Sequence, residues 1–401
     1  MSKFNRVIMI VTDSLGIGPD KDQKKWNDVG ANTIYAASKS EEFSIKTWKE
    51  MGIANIAKLH NIMPVKKPIA YVTKVQEVSN AKDTLAGHWE MMGIKTEVPF
   101  PTFTENGFPK ELIAELEKAF DGRKIVGNKS ASGTEIIDEL AHEERDNNGI
   151  IVYTSFDSVL QICAHEEIIG LDNLYKYAKA ARKICSSRPE WNVGRIIARP
   201  YVGTPGNYTR TFNRHDYANK PEHTILNKLQ DKGVKVISVG KINDIFVGNG
   251  IDEKYPTKSD PENMDQTIDL VMKDTKNELI FTNLVQFDSH YGHRRNIDGY
   301  AKNISIFDIK LKKLISVMKE DDLLIITSDH GNDPSYPGFN HTRELLPLTI
   351  YSKSFKKPGV FGTNDKNNQV IGLGTAGNII ARNFGVDIVL NTGEDVFDKL
   401  I

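Results

Sequence analysis

The sequence predicts an α/β fold, a central and mostly parallel sheet with a smaller α+β domain inserted into it. Three observations carry this. Short aliphatic runs recur, each separated by a long stretch of helical periodicity, as expected of strands buried on both faces of a parallel sheet. Prolines at 99, 101 and 221 bracket a stretch of different texture. The chain has 401 residues, 39% of them hydrophobic and 26% charged, enough for roughly two to three domains of ordinary folded composition.

The first strand is read at Val7 to Val11. Thr12-Asp13 stops it, far short of the ~20 apolar residues of a membrane span and too short for a signal-peptide core. Core segments are expected over residues 1–100 and 220–401, with an inserted cap over residues 101–219. In the cap an amphipathic helix is read from Lys110 to Phe120. Strands follow around Ile150 to Thr154 and Arg195 to Ala198, with a helix from Leu171 to Cys185 between them. The core resumes with Val234 to Val239, Leu279 to Val285, Leu323 to Thr327 and Leu346 to Ile350, all read as buried parallel strands. From Tyr300 to Met318, apolar Ile304, Phe307, Leu311, Leu314 and Ile315 recur at three- and four-residue spacing, which makes an amphipathic crossover helix. A closing helix is read from Gly377 to Phe384. No fixed-period repeat or heptad register is present.

Charge and cysteine content narrow the function classes. The 52 basic and 53 acidic side chains leave a net charge of -1. No global field exists to gather nucleic acid or an anionic membrane, so a bound anion must be held locally. Two cysteines, Cys163 and Cys185, imply no disulfide framework and fit a reducing cytoplasm. Nothing points to an obligate protein partner.

Three aliphatic runs end in an aspartate: Asp13, Asp288 after Gln286-Phe287, and Asp329 after Ser328. The carboxyl ends of strands border the ligand crevice in open α/β sheets, so the three carboxylates are expected at one edge. Histidines cluster there too, as His293, His330 and His341. Six such Asp and His side chains exceed one tetrahedral site and suit two divalent ions. Without a thiolate in the set, Mn²⁺, Zn²⁺ or Mg²⁺ is favoured over copper(I) or an iron–sulfur cluster. Each residue taken singly reads as a turn or cap residue. Three strand-end aspartates accompanied by three histidines do not.

Four segments together resemble the phosphopentomutase family of the alkaline phosphatase superfamily. They are Thr12-Asp13-Ser14-Leu15-Gly16-Ile17-Gly18, Lys82-Asp83-Thr84-Leu85-Ala86-Gly87-His88-Trp89-Glu90, Asp288-Ser289-His290-Tyr291-Gly292-His293-Arg294-Arg295, and Asp329-His330-Gly331-Asn332-Asp333-Pro334 with His341-Thr342-Arg343-Glu344. The resemblance implies an alkaline-phosphatase-like core interrupted by a cap. By itself Thr84 reads as a helix N-cap, whereas the resemblance makes it the carrier of the phosphoryl group. It further implies that Asp13, Asp329 and His330 hold one ion and Asp288, His293 and His341 the other. Two Mn²⁺ are expected, with Mg²⁺, Zn²⁺ or Co²⁺ as substitutes. Two features depart from the common pattern: Asn340 stands where an aspartate is usual, which would weaken charge around the ligands, and His290 lies between Asp288 and His293.

In the cap, Arg195, Arg199, Arg210 and Arg214 fall within 20 positions of one another, and guanidinium forks suit bidentate phosphate binding. The resemblance matches Arg195 and Arg210 to a grip on the distal phosphate, and Ser155 and Asp157 to contacts with the sugar. Arg199 and Arg214 read as a solvated basic face. The activity so implied is isomerisation of ribose 1-phosphate and ribose 5-phosphate, and of the 2-deoxyribose equivalents, through a phosphothreonine and a bisphosphate, with a sugar bisphosphate as activator. The rivals are a phosphatase or phosphodiesterase, which would not need the arginines, a phosphoglycerate mutase, expected to use serine at position 84, and a non-catalytic sensor, expected to have lost ligands.

Overall fold

The computed structural model describes residues 3–155, 157–361 and 370–400. The chain forms two compact units, one of Met1–Val98 with Pro221–Ile401 and the other of Pro99–Lys220.

The first unit is built on an eight-stranded sheet. Its order is Glu253–Tyr255, Lys235–Val239, Glu278–Leu284, Arg6–Thr12, Asp322–Thr327, Leu346–Tyr351, Tyr71–Gln76 and Ile371–Gly372. Strand Arg6–Thr12 lies near the centre with every residue buried, which its β-branched run suits. The first five strands run parallel. Helix Ile297–Val317 lies against one face, and its Phe307 meets Trp48 edge-on at 5.3 Å.

Buried Arg6 opens the central strand beside its register partners Glu278 and Asp322. It pairs with Asp322 Oδ1 at 3.0 Å through Nε and with Glu278 Oε1 at 3.3 Å through Nη1. A buried cation needs such partners. The cation at this edge is thereby paired within the chain, whereas the opposite edge carries the site aspartates.

One strand departs from the sequence reading. Leu346–Tyr351 is antiparallel to both neighbours, Asp322–Thr327 and Tyr71–Gln76. A parallel return needs a crossover, usually a helix. None stands between Thr327 and Leu346, where the connection carries site residues instead, so the chain turns back alongside the strand it left. Strand Tyr71–Gln76 itself was not read from the sequence, because its polar residues break the aliphatic pattern.

The second unit has a six-stranded sheet: Lys124–Ser130, Gly149–Thr154, Val159–His165, Arg195–Thr204 and Asn207–Arg210 in order, with His215–Ala218 also on Arg195–Thr204. Helices Lys110–Ala119 and Leu171–Cys185 pack over an apolar cluster that includes Leu112, Leu116, Leu174 and Ala178. Helix Glu135–Asp146 adds Ile136 and Ile137 to a second cluster. Strands Lys124–Ser130 and Val159–His165 and helix Glu135–Asp146 go beyond the sequence reading. Both cysteines are free and buried. Among the described residues no helix is long and apolar enough to cross a membrane.

Glu144 gives this unit a pH signature. It is buried, accepts from His165 N at 2.9 Å, and burial pushes its pKa up to about 7. An unfolded glutamate releases its proton near pH 4.5, so from there to pH 7 the folded state holds the extra proton and stability falls as pH rises. The loss for this group is about 3 kcal/mol once pH exceeds 7. Glu144→Gln is therefore expected to flatten the decline in urea stability between pH 5 and 8, and an unchanged decline would remove Glu144 as its cause.

Candidate metal and phosphoryl-transfer site

The site grows from the carboxyl ends of two adjacent strands. Strand Arg6–Thr12 delivers Asp13 and strand Asp322–Thr327 delivers Asp329. Ser328 stitches the ends together, donating from Oγ to Thr12 O at 2.7 Å and accepting from Leu15 N at 2.8 Å. Ser14 has a left-handed backbone, φ 69°, which an L residue adopts at a cost. Its N–H reaches Asp329 Oδ1 at 2.9 Å. Asp13, Asp329 and His330 are all fully buried, with ligating atoms within 4.8 Å of one another. Among the described residues, Asp13 Oδ1 and Asp329 Oδ2 are buried without a hydrogen bond.

The other three predicted residues also meet. A single π-helical turn, Phe287–Gly292, carries Asp288 and sets His293 just beyond it. Asp288 lies 3.2 Å from His293 Nε2 through Oδ2 and 3.4 Å from His341 Nε2 through Oδ1, and the two Nε2 atoms are 3.1 Å apart.

All three predicted histidines are fastened in one way. Nδ1 of His293 faces Phe339 O at 3.0 Å, Nδ1 of His330 faces Gly331 O at 3.1 Å and Nδ1 of His341 faces Lys82 O at 2.8 Å. A carbonyl only accepts, so each Nδ1 carries a proton and Nε2 is the nitrogen left to face the carboxylates, a lone pair whenever the ring is neutral. Those lone pairs point at carboxylates and, for His293 and His341, at each other. Negative ends crowded in this way fit divalent cations, and the backbone carbonyl behind each ring is the usual support of a metal-bound histidine. The surroundings of His330 carry the same excess of negative charge. Burial works against a cation at His330, but Asp329 and Asp13 outweigh it and push the ring well above its ordinary range.

Thr84 opens helix Thr84–Met91, with Oγ1 3.3 Å from His330 Nε2. It is not the N-cap. Asp83 is, accepting from Leu85 N at 3.0 Å and Ala86 N at 3.1 Å. Aspartate is the stronger acceptor for these amides, and its capping leaves the Thr84 hydroxyl available at the positive end of the helix. Gly87 brings this helix close, since a Cβ there would fall 2.2 Å from Asp329 O. Gly87→Ala must displace backbone. A loss of about 1–3 kcal/mol in unfolding stability and of roughly 100-fold in turnover is expected, and unaltered melting and rate would contradict this packing.

In the second unit, Arg195 Nη2 lies 3.3 Å from Asp157 Oδ2. Ser155 follows the buried strand Gly149–Thr154. Arg210 pairs opposite Tyr201, six positions after Arg195, or roughly 20 Å along the strand. The guanidinium of Arg210 and Tyr153 Oη both crowd the space that a Cβ on Gly133 would take, and Arg210 Nε is buried without a hydrogen-bond partner among the described residues. Arg214 makes a bidentate pair with Asp216, 2.7 Å for both bonds. Arg199 is half-buried against Gln161 rather than solvated. His290 and Asn340 are exposed. The backbone carbonyl of Asn340 accepts from Arg295 Nη2 at 3.4 Å.

Sequence reasoning left several neighbours of the site without a role. Asn332 Nδ2 donates to Asp288 Oδ1 at 2.8 Å while its Oδ1 accepts from Arg295 Nη1 at 2.8 Å. Arg295 Nη1 also donates to Asp333 O at 2.9 Å, bracing the connection that leads to His341. Asn283 Nδ2 donates to Asp13 Oδ2 at 2.8 Å, and His88 Nδ1 lies 3.2 Å from Asp329 Oδ2. All but Asn283 stand inside the motifs quoted above, and the one signal available was the Thr84 to His88 spacing, which shares a helix face.

Comparison with known proteins agrees with this chemistry. The model of the metalloenzyme superfamily matches residues 5–388. A phosphopentomutase of Mycoplasmopsis pulmonis is 59% identical over 400 residues, spanning 100% of both chains. One of Clostridium tetani is 51% identical over 407 residues, again spanning 100% of both. Among solved structures, the PH0037 protein of Pyrococcus horikoshii shares the fold with a TM-score of 0.50 at 14% identity, over 97% of this chain and 99% of that one.

Proposed function

The chain belongs to the phosphopentomutase family of the metalloenzyme superfamily, and from that premise we propose that it moves a phosphoryl group between positions 1 and 5 of ribose and 2-deoxyribose by way of phosphorylated Thr84. It is an isomerase, a pentose phosphate mutase that uses divalent metal. The observation that carries the finer reading is the Thr84 hydroxyl. Relieved of capping by Asp83, it stands 3.3 Å from His330 Nε2, beside buried carboxylate oxygens that lack a hydrogen bond.

Asp13, Asp329 and His330 would hold one ion, and Asp288, His293 and His341 the second, with Mn²⁺ as the expected metal. Two such ions would supply Lewis-acid stabilisation of charge on the transferring phosphoryl group. The residues of the chain do the rest. In the first half-reaction the Thr84 Oγ1–P bond breaks as a P–O bond forms to a sugar phosphate hydroxyl, whose proton ends on Thr84. In the second, the resulting bisphosphate returns its other phosphoryl group to Thr84. The positive end of helix Thr84–Met91, where Thr84 is the first residue, favours that group. Arg210, with its orphaned Nε, and Arg195 retain the phosphate that is not reacting, while Ser155 and Asp157 meet the sugar. A ribose bisphosphate primes the enzyme, since an unphosphorylated Thr84 cannot begin the cycle, and cytoplasm is the proposed location.

A coupled assay with ribose 1-phosphate, Mn²⁺ and catalytic ribose bisphosphate tests this. Ribose 5-phosphate is expected to form far faster than inorganic phosphate is released. Phosphate release as the dominant reaction would replace the mutase with a phosphatase.

A further inference from the structure

His88 differs from the other histidines of this region. It lies wholly buried one helical turn after Thr84, and its ring stacks on Phe281 with centroids 6.1 Å apart. Its Nδ1 is 2.9 Å from Thr84 O and 3.2 Å from Asp329 Oδ2. Its Nε2 is 3.2 Å from Asn283 Nδ2, which also donates to Asp13 Oδ2 at 2.8 Å.

Chemistry assigns the protons of this chain of contacts. Thr84 O accepts only, so Nδ1 carries the hydrogen. Asn283 must turn its amide nitrogen to Asp13, because its oxygen there would oppose a carboxylate. The second N–H of that amide is then available to Nε2, which accepts. Both ring nitrogens are occupied within the chain, so His88 offers the cluster no ligand atom. The Nδ1–H is directed at Thr84 O and lies beside Asp329 Oδ2 as an ion–dipole contact, leaving that oxygen a lone pair for a cation.

We propose that His88 is a positioning residue, which locks the backbone of Thr84 to the Asp329 carboxylate and, through Asn283, to Asp13. Nucleophile and carboxylates then sit in one fixed frame. The inference rests on the roles given above to Thr84 and to the Asp13, Asp329 and His330 cluster. A polar contact held behind a ligating carboxylate sets its orientation, and losing such a support typically weakens metal binding by about 10–100-fold.

The test uses two isosteric substitutions. In His88→Asn the amide nitrogen takes the place of Nδ1 and can keep the tie to Thr84 O and Asp329. In His88→Gln the amide takes the place of Nε2 and the tie is lost. Metal-stripped protein titrated with Mn²⁺ is expected to show one class of site weakened by about 10–100-fold in His88→Gln, with His88→Asn near the parent. Labelling of Thr84 by a ribose bisphosphate, followed by mass spectrometry, is expected to slow in the same order. KM for ribose 5-phosphate should stay unchanged, because His88 does not touch substrate. In the metal-free parent, ¹H–¹⁵N spectra are expected to show one Nδ1–H histidine that vanishes in His88→Asn.

An Nε2–H tautomer for His88, or parent-like Mn²⁺ binding and labelling in His88→Gln, would overturn the proposal. A parent that takes no label on Thr84 would instead defeat the phosphothreonine reading, and the tautomer would still decide the role of His88.

Discussion

Thr84→Ala is expected to lower pentose phosphate isomerisation by roughly four orders of magnitude or more, the scale on which removal of a nucleophile acts. The fold should barely change. Asp83 caps helix Thr84–Met91, so the substitution removes no capping bond and melting should stay close to that of the parent. Parent protein treated with a ribose bisphosphate should gain one phosphate on the peptide containing Asp83-Thr84-Leu85. Thr84→Ala should not gain it, and Thr84→Ser, which keeps a hydroxyl there, should retain part of both label and rate. A label found reproducibly on another residue would refute the assignment.

Asp288→Ala and His341→Ala are expected to cost orders of magnitude in rate and one of two bound Mn²⁺ per chain, read by metal analysis after dialysis. The geometry supplies the reason. With Asp288 gone, the Nε2 atoms of His293 and His341, 3.1 Å apart, lose the carboxylate that lies within 3.4 Å of both, and a divalent ion there is held far less tightly. Asp13, Asp329 and His330 are separate residues and should keep theirs. In metal-free buffer neither variant should melt much below the parent, because Asp288, in the turn Phe287–Gly292, and His341, in the connection before strand Leu346–Tyr351, are not members of the apolar core. Near-normal turnover with Mg²⁺ alone restored would end the two-metal reading.

Asp13 and Asp329 were legible because each closely follows an unbroken aliphatic run, the mark of a buried parallel strand, whereas the run before Asp288 is interrupted by Thr282 and Asn283 and Asp288 stands in the turn beyond it. Helix Leu171–Cys185 was equally plain, since its apolar face repeats without interruption. Strand Leu346–Tyr351 was legible as a strand but not in its direction, because a fully buried antiparallel strand and a parallel one share one pattern. Thr84 and Asp83 are both good capping residues, and only the backbone amides reveal which of them accepts. His88, Asn283 and Asn332 stayed hidden for a different reason. A polar residue that orients another residue is defined by its partner, and Asn283 reaches Asp13 from 270 positions away.

The central strand has a consequence for synthesis. Arg6–Thr12 is buried throughout, yet the strands on either side of it begin 272 and 316 positions later, as the Arg6 pairs with Glu278 and Asp322 record. At ribosomal speeds of about 5–20 residues per second, its backbone and apolar side chains wait on the order of 15–60 s for either partner. Residues 99–220, by contrast, form a contiguous unit whose strand pairings all lie within itself, and they can complete their structure while the first strand still waits. The nascent chain thus passes through a long interval with one folded unit and an exposed seven-residue strand whose five central residues are apolar, the state in which such a segment is most open to aggregation and to chaperones. Ending translation before residue 278 would make that interval permanent.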